Sequence, residues 1–380
     1  MATKRIATAT RDAAAAPEPA AQRLPAELAH AQELAALRAA DQGPRPDGWQ
    51  LSPRAVRRFI LGGAATEGGG PDIVRKIHGN DALVERAIVT LAGQRGLMLV
   101  GEPGTAKSLL SELLAAAISG DSKLTVQGGA GVVEEQIRYG WNYALLLRDG
   151  PGPEALVPGP LHRAMREGRL LRFEEITRCS TEVQDCLVPV LSERLLQIPE
   201  LKHEQPWLLA RPGFNVIATA NLRDRGVNEM SAALKRRFNF ETMRPLEGVA
   251  AQAALIGQEV GRALAQQRIG TTVAPDVLAL LATAFQELRS GSVEGTAVER
   301  PGTVLSTAEA IDVAFNAACQ CWYFGQERVG PAHLARHLLG TVIKDDDEDR
   351  RRFAEYLRVV AGQRAGQPDW QDFVAGGREH

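Results

Sequence analysis

Lys107 and Ser108 lie in the stretch LMLVGEPGTAKSLLSELL, residues 97–114, whose residue types suit phosphate chemistry. An apolar run ends in a loop containing glycine and proline, and the Lys-Ser pair then opens an apolar-periodic helix. The backbone N–H groups of such a loop can wrap a β-phosphate, the lysine can reach the β- and γ-phosphates, and the serine hydroxyl can ligate Mg²⁺ at the helix N-terminus. The predicted ATP-binding residues are Gly101, Glu102, Pro103, Gly104, Thr105, Ala106, Lys107, Ser108 and Leu109.

Ala106 departs from the usual pattern G-x-x-x-x-G-K-[ST], which has glycine just before the lysine. Glycine is required there only if the backbone takes a positive φ or if a neighbour approaches the Cα closely. Because alanine adopts ordinary helical φ, we expect the loop to enter its helix at Ala106 undisturbed. The substitution therefore does not exclude ATP. The alternative is a strand-to-helix turn with a surface lysine.

Two neighbouring carboxylates, Glu174 and Glu175, end the apolar stretch LLRFEEI. Ligands of parallel sheets bind beyond the carboxyl ends of the strands, so both residues are expected near the phosphates. Neighbouring strand residues point to opposite sides. We expect Glu174 to hold Mg²⁺ together with Ser108, although it is one methylene longer than the usual aspartate, and Glu175 to polarise the attacking water. Two surface glutamates are the alternative.

Two further polar positions flank later strands. Asn221 ends the buried stretch FNVIATAN, where a neutral amide can orient a water and sense a γ-phosphate; a plain turn asparagine is the alternative. Arg236 and Arg237 precede the stretch FNF, and an arginine offered to a neighbouring subunit stabilises transition-state charge. A solvated basic turn is the alternative for that pair.

The elements that position these residues alternate between helix and strand. Short apolar runs separated by amphipathic helices predict a parallel sheet flanked by helices, followed after residue 245 by helices alone. We expect a P-loop NTPase α/β domain over 49–244 and a smaller all-α lid domain over 245–375. Residues 1–48 are expected to form an extension that is disordered or partly helical, with one exposed helix in AELAHAQELAALRAAD. Ser52, Pro53 and Gly62 predict the start and end of the first folded helix.

Composition excludes several classes of protein. At 380 residues the chain suits two domains, and its net charge of −2 provides no overall basic field for nucleic acid. No apolar run approaches the roughly 20 residues of a membrane-spanning helix, and no signal peptide follows the first basic residues. We therefore expect a cytoplasmic protein without a membrane partner, and binding of nucleic acid would need a local basic patch. The four cysteines form no C-x-x-C pair, so we expect buried thiols rather than zinc ligands.

These motifs together resemble an AAA+ ATPase, most closely of the MoxR-like branch, over residues 72–345. That branch commonly has G-x-P-G-T-A-K-[ST], so Ala106 matches it, whereas EEITR replaces the usual D-E-I-N-R and makes Glu174 a departure. FNVIATAN is similar to sensor 1, and Arg237 matches the arginine of D-R-F. KIHGNDALVERAI resembles the segment that holds adenine, which implies that Ile77, His78 and Gly79 lie near the base.

The resemblance also implies two inserts and an assembly. IRYGWN through LVPGPLHRAM is similar to the helix-2 insert of the branch, and LLQIPELKHEQPWLLARPG to its pre-sensor hairpin. The resemblance implies a hexameric ring, a partner with a von Willebrand A-type domain and the remodelling of a protein client. The sensor 2 arginine of the family is replaced by STAE at 306–309, so either Arg300 substitutes or the γ-phosphate is sensed without an arginine.

Three hypotheses follow. The first is an oligomeric Mg²⁺-ATPase that remodels a protein client, with Lys107, Glu175, Asn221 and Arg237 in catalysis. The second is a nucleotide-gated assembly protein with little hydrolysis, suggested by Glu174 and by the missing sensor 2 arginine. The third is a nucleic-acid motor, for which the aromatic stretch IRYGWNY could stack on bases.

Overall fold

A five-stranded parallel sheet forms the centre of the first two thirds of the chain. The computed structural model describes residues 21–64, 72–201, 206–221, 227–302, 304–326, 328–344 and 346–378. The strand order is β2-β5-β8-β1-β9, with all four pairings parallel. These strands are β1 (Gly96–Gly101), β2 (Thr125–Gln127), β5 (Leu170–Glu174), β8 (Asn215–Ala220) and β9 (Phe238–Met243).

The strands form where the sequence is continuously apolar. Residues of β5 and β8 are buried on both faces, which is the pattern of a sheet covered by helices on each side. One face packs against helices α3 (Pro53–Leu61), α4 (Asp81–Ala92) and α5 (Lys107–Ser119), and the other against α8 (Pro160–Glu167) and α10 (Leu187–Glu193). The expected α/β fold is confirmed.

Helix boundaries follow local signals. Ser52 accepts a hydrogen bond from the backbone N–H of Ala55, Pro53 occupies the first turn and Gly62 ends α3, as predicted. The stretch TEVQDCLVPVLSER forms two helices, α9 (Thr181–Asp185) and α10, which meet at Cys186. Pro189 lies in the first turn of α10, where its missing N–H needs no partner.

Two short hairpins interrupt the α/β pattern. Strands β3 (Tyr139–Trp141) and β4 (Leu156–Pro158) pair in antiparallel fashion, with α6 (Glu134–Ile137) before them and α7 (Tyr143–Asp149) between them. Strands β6 (Leu195–Gln197) and β7 (Trp207–Leu209) form the other hairpin. Both fall in the stretches that resemble family inserts.

The last third of the chain is a helical lid with its own apolar core. The lid also contains a hairpin of two strands with two residues each. The sequence did not predict it, because such short strands carry no periodic signal. The elements of the lid are α12 (Val249–Gln266), α13 (Pro275–Ser290), β10 (Ser292–Val293), β11 (Thr296–Ala297), α14 (Thr307–Tyr323), α15 (Pro331–Val342), α16 (Asp347–Gln363) and α17 (Pro368–Gly377). The remaining helix, α11 (Ala232–Lys235), precedes β9 in the α/β part of the chain.

The N-terminal extension is partly helical, but the expectation of one exposed helix is wrong. Helices α1 (Ala26–Ala29) and α2 (Ala31–Ala40) are separated at His30, and Leu34 and Leu37 are buried in the core cluster that also contains α3 and α5. The first 20 residues of the extension lie outside the described part of the chain. No helix within the described ranges is both long enough and apolar enough to cross a bilayer. Three of the four cysteines are buried, and Cys319 is only half-buried.

Candidate functional site

A cavity of about 420 Å³ lies beyond the carboxyl ends of the strands, between the sheet and the lid. The loop between β1 and α5 forms its floor, the ends of β5, β8 and β9 form one side, and α12 and α14 close it from the lid. Its lining residues include Lys76, Ile77, His78, Asn80, Pro103, Gly104, Thr105, Ala106, Lys107, Ser108, Leu109, Glu175, Thr219, Asn221, Leu246, Leu255, Thr307 and Ile311. Most of the predicted site residues therefore meet in one place.

Hydrogen bonds within the phosphate loop hold the side chain of Lys107 against the loop backbone. The Lys107 ammonium donates to the carbonyl oxygens of Gly101 at 3.0 Å and Glu102 at 2.7 Å, and the Thr105 hydroxyl donates to the Glu102 carbonyl at 2.9 Å. Gly101 and Glu102 do not line the cavity themselves. Lys107 is only 8% exposed and opens α5, so a positive charge and a helix N-terminus face the same space.

Ala106 adopts a left-handed backbone, with φ 66° and ψ 25°. The expectation of ordinary helical φ at this position is wrong, because the loop turns into α5 through the conformation that the usual glycine takes most easily. An alanine in this region costs roughly 1–2 kcal/mol. Its methyl group packs against the core cluster of α3 to α5, which partly offsets that cost.

Glu174 lies behind the cavity and does not line it. Its Oε2 accepts hydrogen bonds from the hydroxyls of Ser108 at 2.7 Å and Thr219 at 2.8 Å. Burial disfavours the charged carboxylate, but hydrogen bonds from Ser111, Ser108 and Thr219 and the charge of Arg172 outweigh it, so the pKa of Glu174 is lowered.

The donor set around Glu174 fits a magnesium site. Because Ser108 gives its hydroxyl proton to Glu174, its oxygen lone pairs are available to a cation beside the phosphates. The structure thus brings together the two residues predicted to hold Mg²⁺.

Glu175 faces the cavity from a strained turn. Its backbone is left-handed, with φ 53° and ψ 46°, and its N–H donates to the Thr219 hydroxyl at 2.9 Å. The Asn221 amide donates to one carboxylate oxygen of Glu175 at 3.2 Å, and Arg178 contacts the other. Glu175 and Asn221, predicted separately, therefore form one hydrogen-bonded pair.

The segment predicted to hold adenine forms the apolar end of the cavity. The Nε2 atom of His78 is buried and has no partner among the described residues, and burial followed by the charge of Arg75 lowers the pKa of this histidine. Gly79 does not line the cavity, but its φ of 79° brings the chain against Leu246, where a Cβ would lie 2.9 Å from a methyl carbon. His78 is thus a polar side chain among the apolar residues that line this end of the cavity.

The lid touches the phosphate loop directly. A Cβ on Gly104, which has φ 71°, would lie 2.0 Å from the Cβ of Ser306, the residue that caps α14. No arginine of the described lid residues lines the cavity. Arg300 donates instead to the carbonyl of Ser290, so the idea that it substitutes for sensor 2 is not supported by its position.

Arg237 does not line the cavity of its own chain. Its guanidinium donates to the Ser192 hydroxyl at 2.9 Å and to the Ala233 carbonyl at 2.8 Å. The exposed side chain of Arg236 makes no hydrogen bond or ion pair with any residue in the described ranges. Both arginines lie at the surface, between α11 and β9.

The sequence analysis did not identify four residues that contact Glu174 or Glu175: Ser111, Arg172, Arg178 and Thr219. Thr219 lies two positions before Asn221 on a buried strand, and Ser111 lies one helical turn after Ser108, so each shares a face with a predicted residue. That spacing was the available signal.

Comparisons with known proteins agree with this geometry. The profile of the AAA domain (dynein-related subfamily) matches residues 96–238, and that of the YehL-like AAA+ ATPase C-terminal domain matches residues 250–374. The chain is 51% identical over 354 residues to YehL of Escherichia coli (strain K12), covering 93% of this chain and 96% of that protein. It is also 26% identical over 190 residues to YojN of Bacillus subtilis (strain 168), covering 47% and 57% of the two chains.

Among solved structures, the crystal structure of NtrX from Brucella abortus in complex with ADP is similar, with a TM-score of 0.46 and 15% identity. The match covers 78% of this chain and 63% of that one. The family profiles and the similarity to YehL confirm the assignment to the AAA+ ATPases that the motifs predicted. The chain belongs to the YehL-like AAA+ ATPase family.

Proposed function

We propose that this protein is a Mg²⁺-dependent ATPase that hydrolyses ATP to ADP and phosphate. The observation that supports it most is the convergence of Lys107, Ser108, Glu175 and Asn221 on one cavity that the lid covers. A phosphate-binding loop, a hydroxyl for a metal ion, a carboxylate base and a polar amide thus meet at the carboxyl edge of the sheet.

The roles follow from the contacts. The loop N–H groups and Lys107 bind the phosphates, and Ser108, oriented by Glu174, is the residue that would hold Mg²⁺. When bound, the cation neutralises charge on the phosphate oxygens. Glu175 accepts a proton from the attacking water, and Asn221 fixes the direction of that carboxylate.

We further propose that the protein works as a ring, hexameric as in the family it resembles. Arg237 and Arg236 lie at the surface and outside their own cavity, as a residue that acts on a neighbouring subunit must. A cytoplasmic location, a protein client that is remodelled and a partner with a von Willebrand A-type domain rest on the resemblance alone. Stimulation of ATP turnover by a purified D-x-S-x-S protein encoded next to the gene would support that partner.

The test is ATP turnover against protein concentration for the wild type, Lys107→Ala and Glu175→Gln. We expect turnover per subunit to rise with concentration as subunits associate, and to fall by at least ~100-fold in both variants. Glu175→Gln should still bind ATP, which separates lost chemistry from lost binding. Turnover that neither substitution changes would exclude this site as the catalytic centre.

A second candidate is a nucleotide-gated assembly protein with little hydrolysis. The pairing of Glu175 with Arg178 supports it, because the guanidinium occupies a carboxylate oxygen that an attacking water would otherwise approach. If this candidate is right, ATP drives ring formation while wild-type turnover stays at the level of Glu175→Gln. Mass measurements in solution with and without ATP distinguish the two candidates.

A further inference from the structure

Glu174 is held by more donors than a metal-site carboxylate needs. Its Oε2 accepts from Ser108 and Thr219, and its Oε1 lies 2.5 Å from the Ser111 hydroxyl and 2.9 Å from an Nη2 atom of Arg172. A carboxylate accepts about four hydrogen bonds, so both oxygens are saturated. The group is 5% exposed and therefore fixed in one position.

Arg172 provides the charge that compensates this buried carboxylate. It lies two residues earlier on β5 and so on the same face of the strand. Its remaining N–H groups donate to the Ser111 hydroxyl at 3.0 Å, to the Ser122 carbonyl at 3.0 Å, to the Thr125 hydroxyl at 3.4 Å and to the Ser108 carbonyl at 3.2 Å. All five N–H groups of Arg172 thus have acceptors, and one acceptor, the Ser108 carbonyl, lies in the first turn of α5.

The arrangement explains how a glutamate can occupy this position. An aspartate would be shorter by about 1.5 Å, and it could not reach the hydroxyl of Ser111 and that of Ser108 together. Arg172 and Ser111 hold one oxygen of the longer side chain, which leaves the other directed at Ser108. Glu174 and Arg172 form an ion pair whose side chains are only 7% and 11% exposed.

We infer that Arg172 is a positioning residue for magnesium in this family member: it fixes Glu174 so that Ser108 presents its oxygen lone pairs to the cation. This inference rests on the proposed ATPase function. It gives Arg172 no contact with nucleotide or metal. Its effect is confined to the part of ATP affinity that depends on Mg²⁺.

The experiment measures the dissociation constant of a fluorescent ATP analogue in EDTA and in excess Mg²⁺, using the full chain. The ratio of the two constants is the magnesium advantage. Arg172→Lys keeps the charge but loses the planar fork. We expect its constant in EDTA to stay within about twofold of wild type and its magnesium advantage to fall roughly tenfold, as for the loss of a charge-assisted hydrogen bond. The matched control Arg169→Lys should change neither constant, because the half-exposed Arg169 pairs with the buried Asp121 and does not line the cavity.

A second set of variants guards against misfolding. Arg172→Met alone leaves a buried carboxylate unpaired, whereas Arg172→Met combined with Glu174→Gln removes both charges. If Arg172 acts through Glu174, the double variant has the same magnesium advantage as Glu174→Gln within about twofold. A further loss in the double variant, or an equal loss in EDTA and Mg²⁺ for Arg172→Lys, would overturn the inference.

The wild-type measurement separates the two proposals. ATP binding without any magnesium advantage contradicts the role of Arg172 and Glu174 but leaves nucleotide binding in place. No ATP binding under either condition contradicts the proposed function, and the inference falls with it.

Discussion

Two residues of the site, Ala106 and Glu175, have left-handed backbones although neither is glycine. The described chain contains three other such residues, Arg194, Arg268 and Glu294, none of which lines the cavity. Backbone strain concentrates at functional sites where the surroundings impose it. Here the phosphate loop turns at Ala106, and Glu175 is directed into the cavity by the hydrogen bond between its N–H and Thr219.

Substitutions of Ala106 should reveal that strain. We expect Ala106→Gly to change the free energy of unfolding by less than about 1 kcal/mol, because relief of the left-handed strain and loss of methyl packing offset each other. Ala106→Val should destabilise by more than ~1 kcal/mol, since a β-branched residue is a genuine outlier at positive φ. Urea unfolding of the two variants checks this. Equal stability of the two variants would show that the backbone at this position is not left-handed.

At the scale of elements, the lid and the phosphate loop approach each other closely at Gly104 and Ser306, the cap of α14. Gly104→Ala should push the lid away and weaken ATP binding by roughly tenfold, since the added carbon meets backbone-attached atoms rather than a flexible tip. Gly325→Ala is the matched control: its φ of 72° is close to that of Gly104, but nothing lies within 4 Å of the added Cβ. Titration with a fluorescent ATP analogue distinguishes them. Equal affinities would mean that the lid does not rest on the loop.

A largely buried ion pair connects the N-terminal helix α2 to the α/β domain. Lys76, whose side chain is 4% exposed, lines the cavity and pairs with Glu33 of α2 at 2.5 Å. Glu33→Gln should cost about 2–4 kcal/mol, because it leaves a buried ammonium with carbonyl partners alone. Glu85→Gln, which breaks the half-exposed pair with Arg57, should cost less than ~1 kcal/mol. Similar unfolding midpoints for the two variants would contradict a structural role for α2.

The sequence predicted these elements well where a periodic pattern was strong. The buried strands β1 and β8 and the start of α3 at Ser52 follow from local residue types alone. The alanine-rich α1 and α2 did not reveal their packing, because alanine and leucine favour helix in solvent and in a core equally. Partners distant in sequence, such as Phe59 and Glu112, decide that those helices are covered.

At the scale of the whole molecule, the proposed ring predicts catalysis across subunits. We expect Arg237→Ala to lower ATP turnover at least roughly tenfold without weakening ATP binding. Mixing Arg237→Ala with Glu175→Gln should restore part of the activity, because some interfaces then join an intact Glu175 to an intact Arg237. Arg236→Ala is the matched control. No recovery in the mixture would exclude action in trans, and a loss confined to Arg236→Ala would move the role to that neighbour.

Acid should weaken the fold before carboxylates titrate. All five histidines in the described ranges have lowered pKa values, with burial as the first cause, and burial together with Arg166 lowers that of His162 to about 4. The unfolded chain therefore binds protons first as the pH falls below 6.5. His162 alone should remove up to roughly 3 kcal/mol of stability between pH 6.5 and 4.

Urea unfolding at several pH values tests whether protonation of His162 lowers the free energy of unfolding. The wild type should lose stability over that window, and His162→Gln should lose less, because glutamine does not titrate. The comparison concerns the slopes against pH, so a uniform cost of the substitution does not affect it. Identical slopes would show that His162 is not held neutral in the fold.

The sequence by itself determined the phosphate loop, the carboxylates after β5, the asparagine after β8 and the alternation of helix and strand. These follow from local rules: which residues a phosphate needs, and which side of a parallel sheet its strands end on. Only the tertiary structure decided that Ala106 is left-handed, that Asn221 holds Glu175 and that Arg172 holds Glu174. Those facts depend on backbone angles and on contacts between residues far apart in the chain, for which a single sequence carries no periodic signal.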